Sequence, residues 1–556
     1  MQKKWQALGK LKINDSGFKI DDLIKILLEN RGLKTKKEID TFLHPQLSDV
    51  TPKNVGIDLA QLKKAISRIE KAIKNKEQIV VFGDYDVDGI TGSAILWETL
   101  YARGAKVMPF IPNRKEEGYG LSLKALQNEE LRTKNPTLII TVDNGIVANE
   151  AVTFANENNI DVIITDHHTA SETLPDAYAI VHTTKLCGAG VAYLLSQELK
   201  GKSKKSKGDE DIHLELAALG TVADLVPLVG ANRTIVFEGL KKLHQTKRPG
   251  LIALFQQAKV DQESIGVYEI GYIIGPRLNA SGRIESAMDS LRLLCTTKKE
   301  RGEELAAKLE LVNRERQQLL REGAQHAIES ITSEGLGARK ILIVAHESYE
   351  EGVIGLIAGK LVEAFYRPAI VLSLKESVSK ASVRSVSGFN IIEFLRLHKD
   401  HFVNVGGHPM AAGFTVETVK IEILKKALEK KAESLLTQEL LTRTLKIDCE
   451  LPLSLLSKDL YNSIQQLSPF GMSNPEPVFA SKKVTVENFR VIGKEGNHLK
   501  LILRQESDTF DAIAFGMGEI ATSLKSGDMI DVAYSLDENT WNGETKLQLK
   551  VKDILV

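Results

Sequence analysis

The fold of this chain follows from one stretch, IVVFGDYDVDG (79–89). It opens with four apolar residues, which predict a buried strand, and a glycine and three aspartates follow where the strand should stop. The same plan returns in LIITVDNG (138–145) and IDVIITDHH (160–168), with helical patterns between the apolar runs. Strands that alternate with helices predict a parallel sheet covered by helices on both faces. The ligand crevice of such a sheet lies at the carboxyl ends of its strands, where all three polar clusters fall.

The composition is that of an ordinary globular protein and excludes a collagen-like or mostly disordered chain. Hydrophobic residues make up 43% of the 556 residues and charged residues 26%. Lys+Arg 73 equals Asp+Glu 73, so a nucleic-acid partner would need a local basic surface. Cys187, Cys295 and Cys449 are too widely spaced for a disulfide framework or a zinc cluster, which fits a reducing compartment. We find no signal-peptide pattern and no apolar run of 18 residues, and therefore expect a cytoplasmic protein without a membrane segment.

The pattern of the whole chain predicts an α/β multidomain protein. Residues 298–331 are rich in strong helix formers and predict one long helix between two lobes. A second α/β unit begins at KILIVAH (340–346), and from about residue 440 five short strands separated by turns predict a small β-barrel, most simply an OB-fold. The charged stretch KGKSKKSKGDED (200–211) predicts a solvated loop. The predicted parts are an N-terminal appendage (1–55), a parallel-sheet catalytic domain (56–295), a connecting helix (296–335), a second α/β domain (336–435) and the barrel (440–556).

Acidic and imidazole side chains gather at the three predicted strand ends. Asp84, Asp86 and Asp88 occupy alternate positions, so on an extended strand end they would all point the same way. Three carboxylates on one face repel one another unless a cation neutralises them. A solvated turn or a cap would explain any one cluster alone, but three clusters at successive strand ends favour a shared metal site. The further candidates are Asp143, Asp166, His167, His168 and, between apolar neighbours, Asp224.

Carboxylate and imidazole ligands without thiolates suit Mn²⁺ or Mg²⁺ better than zinc. Many shared carboxylates suit two ions about 3.5–4 Å apart, which activate water and clamp an in-line phosphoryl displacement. The residues therefore predict metal-assisted hydrolysis of a phosphoester or phosphoanhydride.

Basic residues beside small ones form a second group of candidates, for phosphate binding. GPRLNASGR (275–283) presents Arg277, Asn279 and Arg283, although a helix terminus with structural ion pairs would use the same residues. A Gly-rich turn at GGH could expose backbone N–H groups to a phosphate. Arg114 is our candidate for a contact to a 5′-terminal phosphate, with an ordinary surface arginine as the alternative. The remaining candidates are Ser382, Arg384, Gly406, Gly407 and His408.

In this order, GDYDVDG, VDNG, TDHH and TVADLVPL (221–228) resemble the four motifs of the DHH phosphoesterase superfamily. CGAGVAY (187–193), GPRLNASGRIESA, GVIGLIAGKL, ASVRS and GGHPMAAGF resemble the RecJ family within it, the single-strand-specific 5′→3′ DNA exonucleases. LSPFGMSNPEPVF (467–479) and the barrel resemble the OB domain of that family, and RGLKTKKEIDTFLHP (31–45) extends the similarity over nearly the whole chain.

The resemblance implies a DHH catalytic domain, a DHH-associated domain that grips nucleic acid, and two Mn²⁺ or Mg²⁺ ions. It implies that Asp143 bridges both ions, that His168 faces the scissile phosphate as ligand support or as a proton donor, and that Asp166 orients a neighbouring imidazole. Arg283 is a further catalytic candidate. By the same resemblance the metal ligands are Asp86, Asp88, Asp143, His167 and Asp224, with Asp84 as a further candidate. A single DNA strand would thread between the lobes to the metals, and a duplex would not. The barrel candidates for strand binding are Phe489, Arg490, Lys500, Tyr534 and Trp541, with a place in the barrel core as the alternative for each aromatic.

The chain departs from that family at two places. Glu350 stands where a His is expected, and the loop before Cys187 is short. Both changes bear on substrate entry rather than on the proposed ligands. The alternatives are a phosphodiesterase of short oligonucleotides or cyclic dinucleotides, and a scaffold that binds single strands without cutting them. We expect a monomer, with a single-strand-binding protein and a helicase as partners by analogy.

Overall fold

The computed structural model describes residues 3–11, 18–114, 116–200 and 213–556. Most of the predicted charged loop at 200–211 lies outside these residues. The chain divides into a larger unit, Ala7–Glu310 with Lys446–Val556, and a smaller unit, Met1–Gln6 with Leu311–Leu445. Of the helices in the described part of the chain, none is both long enough and apolar enough to cross a membrane.

The strands are β1 (Lys4–Ala7), β2 (Gln78–Gly83), β3 (Lys106–Phe110), β4 (Leu138–Val142), β5 (Asp161–Asp166), β6 (Ala179–His182), β7 (Leu342–His346), β8 (Ala369–Ser373), β9 (Val378–Arg384), β10 (Asn404–His408), β11 (Ala411–Glu417), β12 (Thr444–Ile447), β13 (Cys449–Glu450), β14 (Phe479–Ile492), β15 (His498–Gln505), β16 (Asp508–Ala514), β17 (Met529–Trp541) and β18 (Glu544–Leu555).

The helices are α1 (Ile20–Asn30), α2 (Lys36–Leu43), α3 (Leu59–Lys74), α4 (Val87–Ala102), α5 (Leu123–Leu126), α6 (Glu129–Thr133), α7 (Asn149–Glu157), α8 (Gly188–Lys200), α9 (Leu214–Ala223), α10 (Gly230–Leu243), α11 (Pro249–Ala258), α12 (Val267–Glu269), α13 (Gly275–Ile284), α14 (Met288–Cys295), α15 (Lys299–Ser333), α16 (Ile354–Phe365), α17 (Ile391–Arg396), α18 (Ile421–Leu435) and α19 (Lys458–Gln465), with a π-helical turn at Ile270–Ile274.

The larger unit contains the predicted parallel sheet. Its strand order is β3-β2-β4-β5-β6, and every pairing is parallel. Alternate residues of β2 enter opposite cores: Ile79 and Val81 pack with α3, α4 and α8, whereas Val80 and Phe82 pack with α5 and α7. The sequence pattern missed β6, which is only four residues long.

The C-terminal part of the larger unit is the expected five-stranded OB barrel. Strands β14, β15, β16, β18 and β17 follow one another, and pairing of β14 with β17 closes the barrel. The N-terminal segment is more than an appendage, because Leu23, Leu27 and Phe42 of α1 and α2 lie in the same core as the barrel. That burial ties residues 20–43 to the C-terminal domain.

The smaller unit is a mixed sheet with helices on both sides. Its strand order is β10-β11-β9-β8-β7, and only the pairing of β7 with β8 is parallel. Helix α16 packs on one face, whereas α17 and α18 pack on the other. The long helix predicted over 298–331 is confirmed as α15, which begins in the larger unit and ends in the smaller one.

Candidate metal centre

The three polar clusters meet at one edge of the parallel sheet. Strands β2, β4 and β5 are direct neighbours, and they end at Gly83, Val142 and Asp166. The aspartates that follow β2 and β4 therefore lie beside the histidines that follow β5. This is the edge at which the sequence predicted a site.

The geometry predicted for the first cluster is wrong in one respect. Asp84, Asp86 and Asp88 do not continue an extended strand, because α4 begins at Val87. Asp86 is the N-cap of α4, and its side chain accepts a hydrogen bond from the Gly89 N–H at 3.1 Å. The carboxylates converge because the chain turns from strand into helix within three residues.

Small residues at the start of α8 make room for the carboxylates and hold one of them. The oxygens of Asp88 accept hydrogen bonds from the N–H groups of Gly188 and Ala189, at 2.6 and 2.8 Å. These donors at a helix N-terminus fix the position of the carboxylate. A Cβ added at Gly188 would lie 2.5 Å from Cβ of Asp143, so a larger residue cannot occupy this position without movement.

The side chains from the four motifs form three overlapping groups of candidate ligands. Within each group the ligand atoms lie no more than 4.8 Å apart. The groups are Asp84, Asp86 and Asp143; Asp88, His167 and Asp224; and Asp143, His167 and His168. Asp143 and His167 each belong to two groups. Asp143 has a φ of 63°, a strained backbone conformation of the kind found at functional sites.

The donor atoms fit a divalent cation. Four of them are buried and have no hydrogen-bond partner among the described residues: Asp84 Oδ1, Asp143 Oδ1, His167 Nε2 and Asp224 Oδ2. Nε2 of His167 lies 3.0 Å from Oδ1 of Asp143 without forming a hydrogen bond. Adjacent ligands of an octahedral ion at about 2.1 Å lie about 3 Å apart. Buried polar atoms are rarely left without a partner, so the arrangement indicates a place for a cation.

The pKa values of the clustered side chains in the metal-free protein also indicate a cation site. Burial, and then the charges of neighbouring aspartates, raise the pKa values of Asp84, Asp86 and Asp143. Burial, with the charges of Asp88 and Asp86, raises the pKa of Asp224 to about 9. Burial lowers the pKa of His167, which keeps its imidazole neutral and able to ligate. A cation would relieve the repulsion that these shifts record.

Asp166 and His168 form a separate pair at the edge of the cluster. Asp166 accepts hydrogen bonds from the N–H groups of Ile146, His167 and His168, and its Oδ1 lies 2.8 Å from Nδ1 of His168. Burial opposes the charge on both side chains. Their mutual hydrogen bond and charge attraction, with the backbone donors to Asp166 and the further aspartates near His168, together outweigh it, so the pKa of His168 is raised and that of Asp166 is lowered.

Tyr119 is a candidate that sequence reasoning missed. Its hydroxyl lies 3.3 Å from Nε2 of His168, on the side of the ring opposite Asp166. Asn144 of the VDNG motif holds the loop that carries Tyr119, because its Oδ1 accepts the Leu121 N–H at 3.1 Å. Nothing in the local pattern around Tyr119 distinguishes it from a surface tyrosine.

The arginines predicted to bind phosphate have mixed surroundings. Arg277 pairs with Glu310, from Nε to Oε2 at 2.8 Å, and so is engaged within its own domain. Arg114 is exposed and lies over the ring of Tyr85, 5.3 Å from its centroid. Asn279 supports the aspartate loop, since its Oδ1 accepts the Val87 N–H at 3.0 Å. Arg283 lies in the last turn of α13, beside Gly282, where an added Cβ would lie 2.5 Å from the Tyr85 carbonyl oxygen.

The SVRS and GGH residues of the smaller unit lie in register across β11. The predicted Gly-rich turn is wrong, because Gly406, Gly407 and His408 belong to strand β10. Ala411 pairs with His408 on one side and with Arg384 on the other, and Gly413 links Gly406 to Ser382 in the same way. These four outer positions share a face of the sheet. A Cβ added at Gly355, in the first turn of α16, would lie 2.9 Å from Ser382 Oγ and 3.2 Å from Arg384 Nη2.

The barrel corrects one candidate for strand binding. Tyr534 is fully buried and its hydroxyl lies 2.9 Å from Ser481 Oγ, so it belongs to the core. The side chain of Trp541 lies outside the described part of the structure. Phe489 packs against the barrel core, whereas Phe515, which the sequence pattern did not single out, is exposed with its ring 5.3 Å from that of His498.

Comparison with known families agrees with this architecture. Residues 78–221 match the DHH family, N-terminal domain, residues 338–435 match the DHHA1 domain, and residues 447–553 match the RecJ OB domain. The parallel sheet with its edge of carboxylates and imidazoles thus defines a protein of the DHH class.

Comparison with individual proteins shows which family of the DHH class the chain belongs to. The single-stranded-DNA-specific exonuclease RecJ of Bacillus subtilis is 37% identical, over 98% of this chain and 70% of that protein. Its namesake from Salmonella typhimurium is 30% identical, over 96% and 95%. The crystal structure of RecJ in complex with Mn²⁺ from Thermus thermophilus superposes with a TM-score of 0.83 at 28% identity, covering 100% of this chain and 79% of that one. The chain belongs to the RecJ family.

Proposed function

We propose that this protein is a single-stranded-DNA-specific 5′→3′ exonuclease that hydrolyses phosphodiester bonds with two Mn²⁺ or Mg²⁺ ions. The observation that carries the proposal is the set of buried, unpartnered ligand atoms on Asp84, Asp143, His167 and Asp224. Sequence similarity to proteins named single-stranded-DNA-specific exonuclease supports single-stranded DNA as the substrate.

Two of the ligand groups would each hold one ion. Asp84, Asp86 and Asp143 would hold the first, and Asp88, His167 and Asp224 the second, with Asp143 close enough to His167 to serve both. When bound, such a pair of ions supplies an activated water and neutralises the charge that develops in an in-line phosphoryl displacement.

His168 would act through its hydrogen-bonding rather than as a principal ligand. Asp166 fixes Nδ1 as the donor of their shared hydrogen bond and raises the pKa of the ring, so Nε2 carries a proton when the imidazole is charged. The Tyr119 hydroxyl beside Nε2 would help to present that proton to a phosphate oxygen. Arg283 and Arg114, which approach the aspartate loop, would bind the phosphates on either side of the reacting bond.

The smaller unit would grip the strand by its backbone. Arg384 and His408 flank Ala411, and the next row on the same face holds Gly406 and Gly413, where glycine leaves the sheet surface without side chains. An arginine fork matches phosphate geometry, and the first turn of α16 adds the positive end of a helix dipole. The barrel would bind the strand at a greater distance from its 5′ end, since OB-folds commonly bind single-stranded nucleic acid.

The decisive experiment uses single-stranded DNA labelled at its 3′ end, with the 5′ end either free or blocked by streptavidin. We expect progressive shortening of the free strand in Mn²⁺, none in EDTA, and none when the 5′ end is blocked. Equal cleavage of the free and the blocked strand would contradict the proposed 5′→3′ direction but not the proposed metal-dependent hydrolysis.

The Asp143→Asn variant should lose cleavage and keep strand binding, because it changes one ligand and little volume. Glu157→Gln is the matched control, since this exposed carboxylate ends α7 at the opposite edge of the sheet. If Asp143→Asn cuts DNA as the wild type does, the proposed metal centre is wrong.

A further inference from the structure

Four large apolar residues are exposed on segments of the larger unit that follow the metal-ligand candidate Asp224 or lead towards the barrel. Their exposed fractions are 64% for Leu225, 63% for Tyr268, 74% for Tyr272 and 52% for Met472. We call these four residues the apolar strip. Tyr268 and Tyr272 are in contact with each other, and exposed apolar residues that lie together on a folded protein often mark a binding site.

A continuous helical segment connects the strip to the metal centre. It runs through α12, the π-helical turn and α13, from Val267 to Ile284. Towards its C-terminal end, Asn279 accepts a hydrogen bond from Val87, between the metal-ligand candidates Asp86 and Asp88. At about 1.5 Å per residue, Tyr272 and Tyr268 lie about 10 and 16 Å back along the segment from Asn279.

The other end of the segment contacts the region that leads into the barrel. A Cβ added at Gly471 would lie 3.5 Å from Cγ1 of Val267 and 2.6 Å from Cδ1 of Leu228. The carbonyl of Met472 accepts the Leu228 N–H at 2.8 Å. The two tyrosines therefore lie between the OB-fold and the metal centre.

Leu225 brings the strip to the metal centre itself. It follows Asp224 directly, and a Cβ added at Gly275 would lie 3.8 Å from Cβ of Ala223. Leu225 has a φ of 60° directly after the C-cap of α9, the left-handed conformation that often ends a helix. The π-helical turn that contains Tyr272 is an irregularity of the kind associated with functional sites.

The tyrosine rings have no role in the folded core. They stack on each other with centroids 5.0 Å apart and an interplanar angle of 28°. Neither hydroxyl makes a hydrogen bond within the described residues, and neither ring packs into the adjacent core, although Val267 does. The outer ring faces are therefore available to a flat, apolar ligand.

We propose that Tyr268 and Tyr272 form a stacking platform for unpaired nucleobases, with Leu225 and Met472 completing it towards the metals and the barrel. The proposal rests on the proposed function, because it assigns part of the path of the same single strand. Bases of a duplex are already stacked on their neighbours, so such a platform selects for single strands within the larger unit itself. Stacking of one base on an aromatic ring strengthens binding by about 5- to 150-fold.

The test measures binding by the full-length protein in EDTA, where hydrolysis does not occur. The probes are single-stranded oligonucleotides with a free 5′ end and one 2-aminopurine at each of the first ten positions in turn. We expect two or three consecutive positions near the 5′ end to change fluorescence on binding. The double variant Tyr268→Leu/Tyr272→Leu should lose those changes and bind at least tenfold more weakly, and the double Phe variant should restore both.

Tyr101→Leu is the matched control, because Tyr101 is also an exposed tyrosine, at 65%, that stacks on another aromatic ring, that of Trp97. It lies elsewhere in the larger unit, in a pocket that also includes Arg248. It should bind as the wild type does. If the double Leu variant has the affinity and the fluorescence changes of the wild type, the stacking platform does not exist, while the proposed function stands. If the double Phe variant also fails, the hydroxyls rather than the rings matter and the stacking proposal is overturned. A wild-type protein that binds no oligonucleotide would instead remove the proposed function.

Discussion

Replacing Asp224 with Asn should stabilise the metal-free protein, and the gain should grow as the pH rises. Asp224 faces Asp88 and His167 across the candidate metal centre, with its Oδ2 3.6 Å from Nε2 of His167. Burial, followed by the charges of Asp88 and Asp86, raises its pKa from 3.8 to about 9. The folded protein therefore binds a proton that the unfolded chain releases at neutral pH.

The size of the effect follows from the linkage between protonation and folding. Because the folded pKa is raised, stability is unaffected below the unfolded value of 3.8 and falls with rising pH until about 9. At pH 7 the gap of about three pH units, at about 1.4 kcal/mol each, amounts to about 4 kcal/mol. The amide of Asn keeps the shape of the side chain and removes this term.

The assay is urea unfolding in EDTA at pH 5 and pH 8, followed by the fluorescence of Trp97 in the catalytic domain. Trp5 and Trp541 are replaced by Phe in both proteins, so that the signal reports this domain. We expect Asp224→Asn to unfold at higher urea than its parent, with an advantage about 4 kcal/mol larger at pH 8 than at pH 5.

Added Mn²⁺ should reverse the order, because the parent gains a ligand that the variant lacks. An Asp224→Asn protein no more stable than its parent at pH 8 would contradict this account, and so would an advantage equal at the two pH values. Either result would mean that burial and the neighbouring carboxylates do not raise the pKa of Asp224 in the metal-free protein.

Three further predictions test other parts of the structure. Gly188→Ala should abolish the thermal stabilisation by Mn²⁺ measured by calorimetry, since its Cβ would meet Asp143 at 2.5 Å, whereas Gly359→Ala, with no atom within 4 Å, should retain it. Glu98→Gln should cost about 3 kcal/mol at pH 7. Burial opposes the charge on Glu98, but the hydrogen bonds and charges of Arg248 and His213 together outweigh it and lower the pKa of Glu98 to about 2; the loss should shrink as the pH falls from 4.5 towards 2, and an equal loss at pH 3 in urea unfolding would contradict it. Arg384→Lys should raise KM for single-stranded DNA by about tenfold with little change in kcat, because lysine keeps the charge and loses the fork; a fall in kcat alone in steady-state assays would argue against a binding role.

The local sequence pattern predicted the helices and strands correctly wherever the residues of a segment determine its own structure. The long helix, the strands of the parallel sheet and the barrel strands lie within a few residues of their predicted positions. Apolar periodicity and turn residues are properties of short segments, and neighbouring segments did not override them here. The strand ends at Asp84, Asp143 and Asp166 were predicted for the same reason, and the topology of parallel sheets placed them together.

GGH was predicted as a turn, but it forms the end of β10 and pairs with the next strand, β11, in a hairpin. The other failures share one cause, which is that the deciding contact lies far away in sequence. From the sequence, Tyr534 fitted either strand binding or the barrel core, and closure of the barrel places it in the core beside Ser481. The sequence predicted the N-terminal segment as an appendage, but the apolar faces of its helices pack into the core of a domain more than 400 residues further along the chain.

Residue identity and order were enough to establish the class of chemistry. They predicted a set of carboxylate and imidazole candidate ligands, the order of these residues along the chain and the sheet edge at which they gather, because these depend only on residue type and strand order. The domain boundaries and the roles of individual site residues stay predictions at this level.

How those ligands meet depended on the folded chain. Folding placed Asp88 under the first turn of α8, set His167 against Asp143 at 3.0 Å and brought Tyr119 to His168. It also exposed Tyr268 and Tyr272 between the barrel and the metals, although their sequence spacing equally fits a buried helix face. The physical reason is that distance, burial and pKa depend on which segments pack together, and that packing is a property of the whole chain.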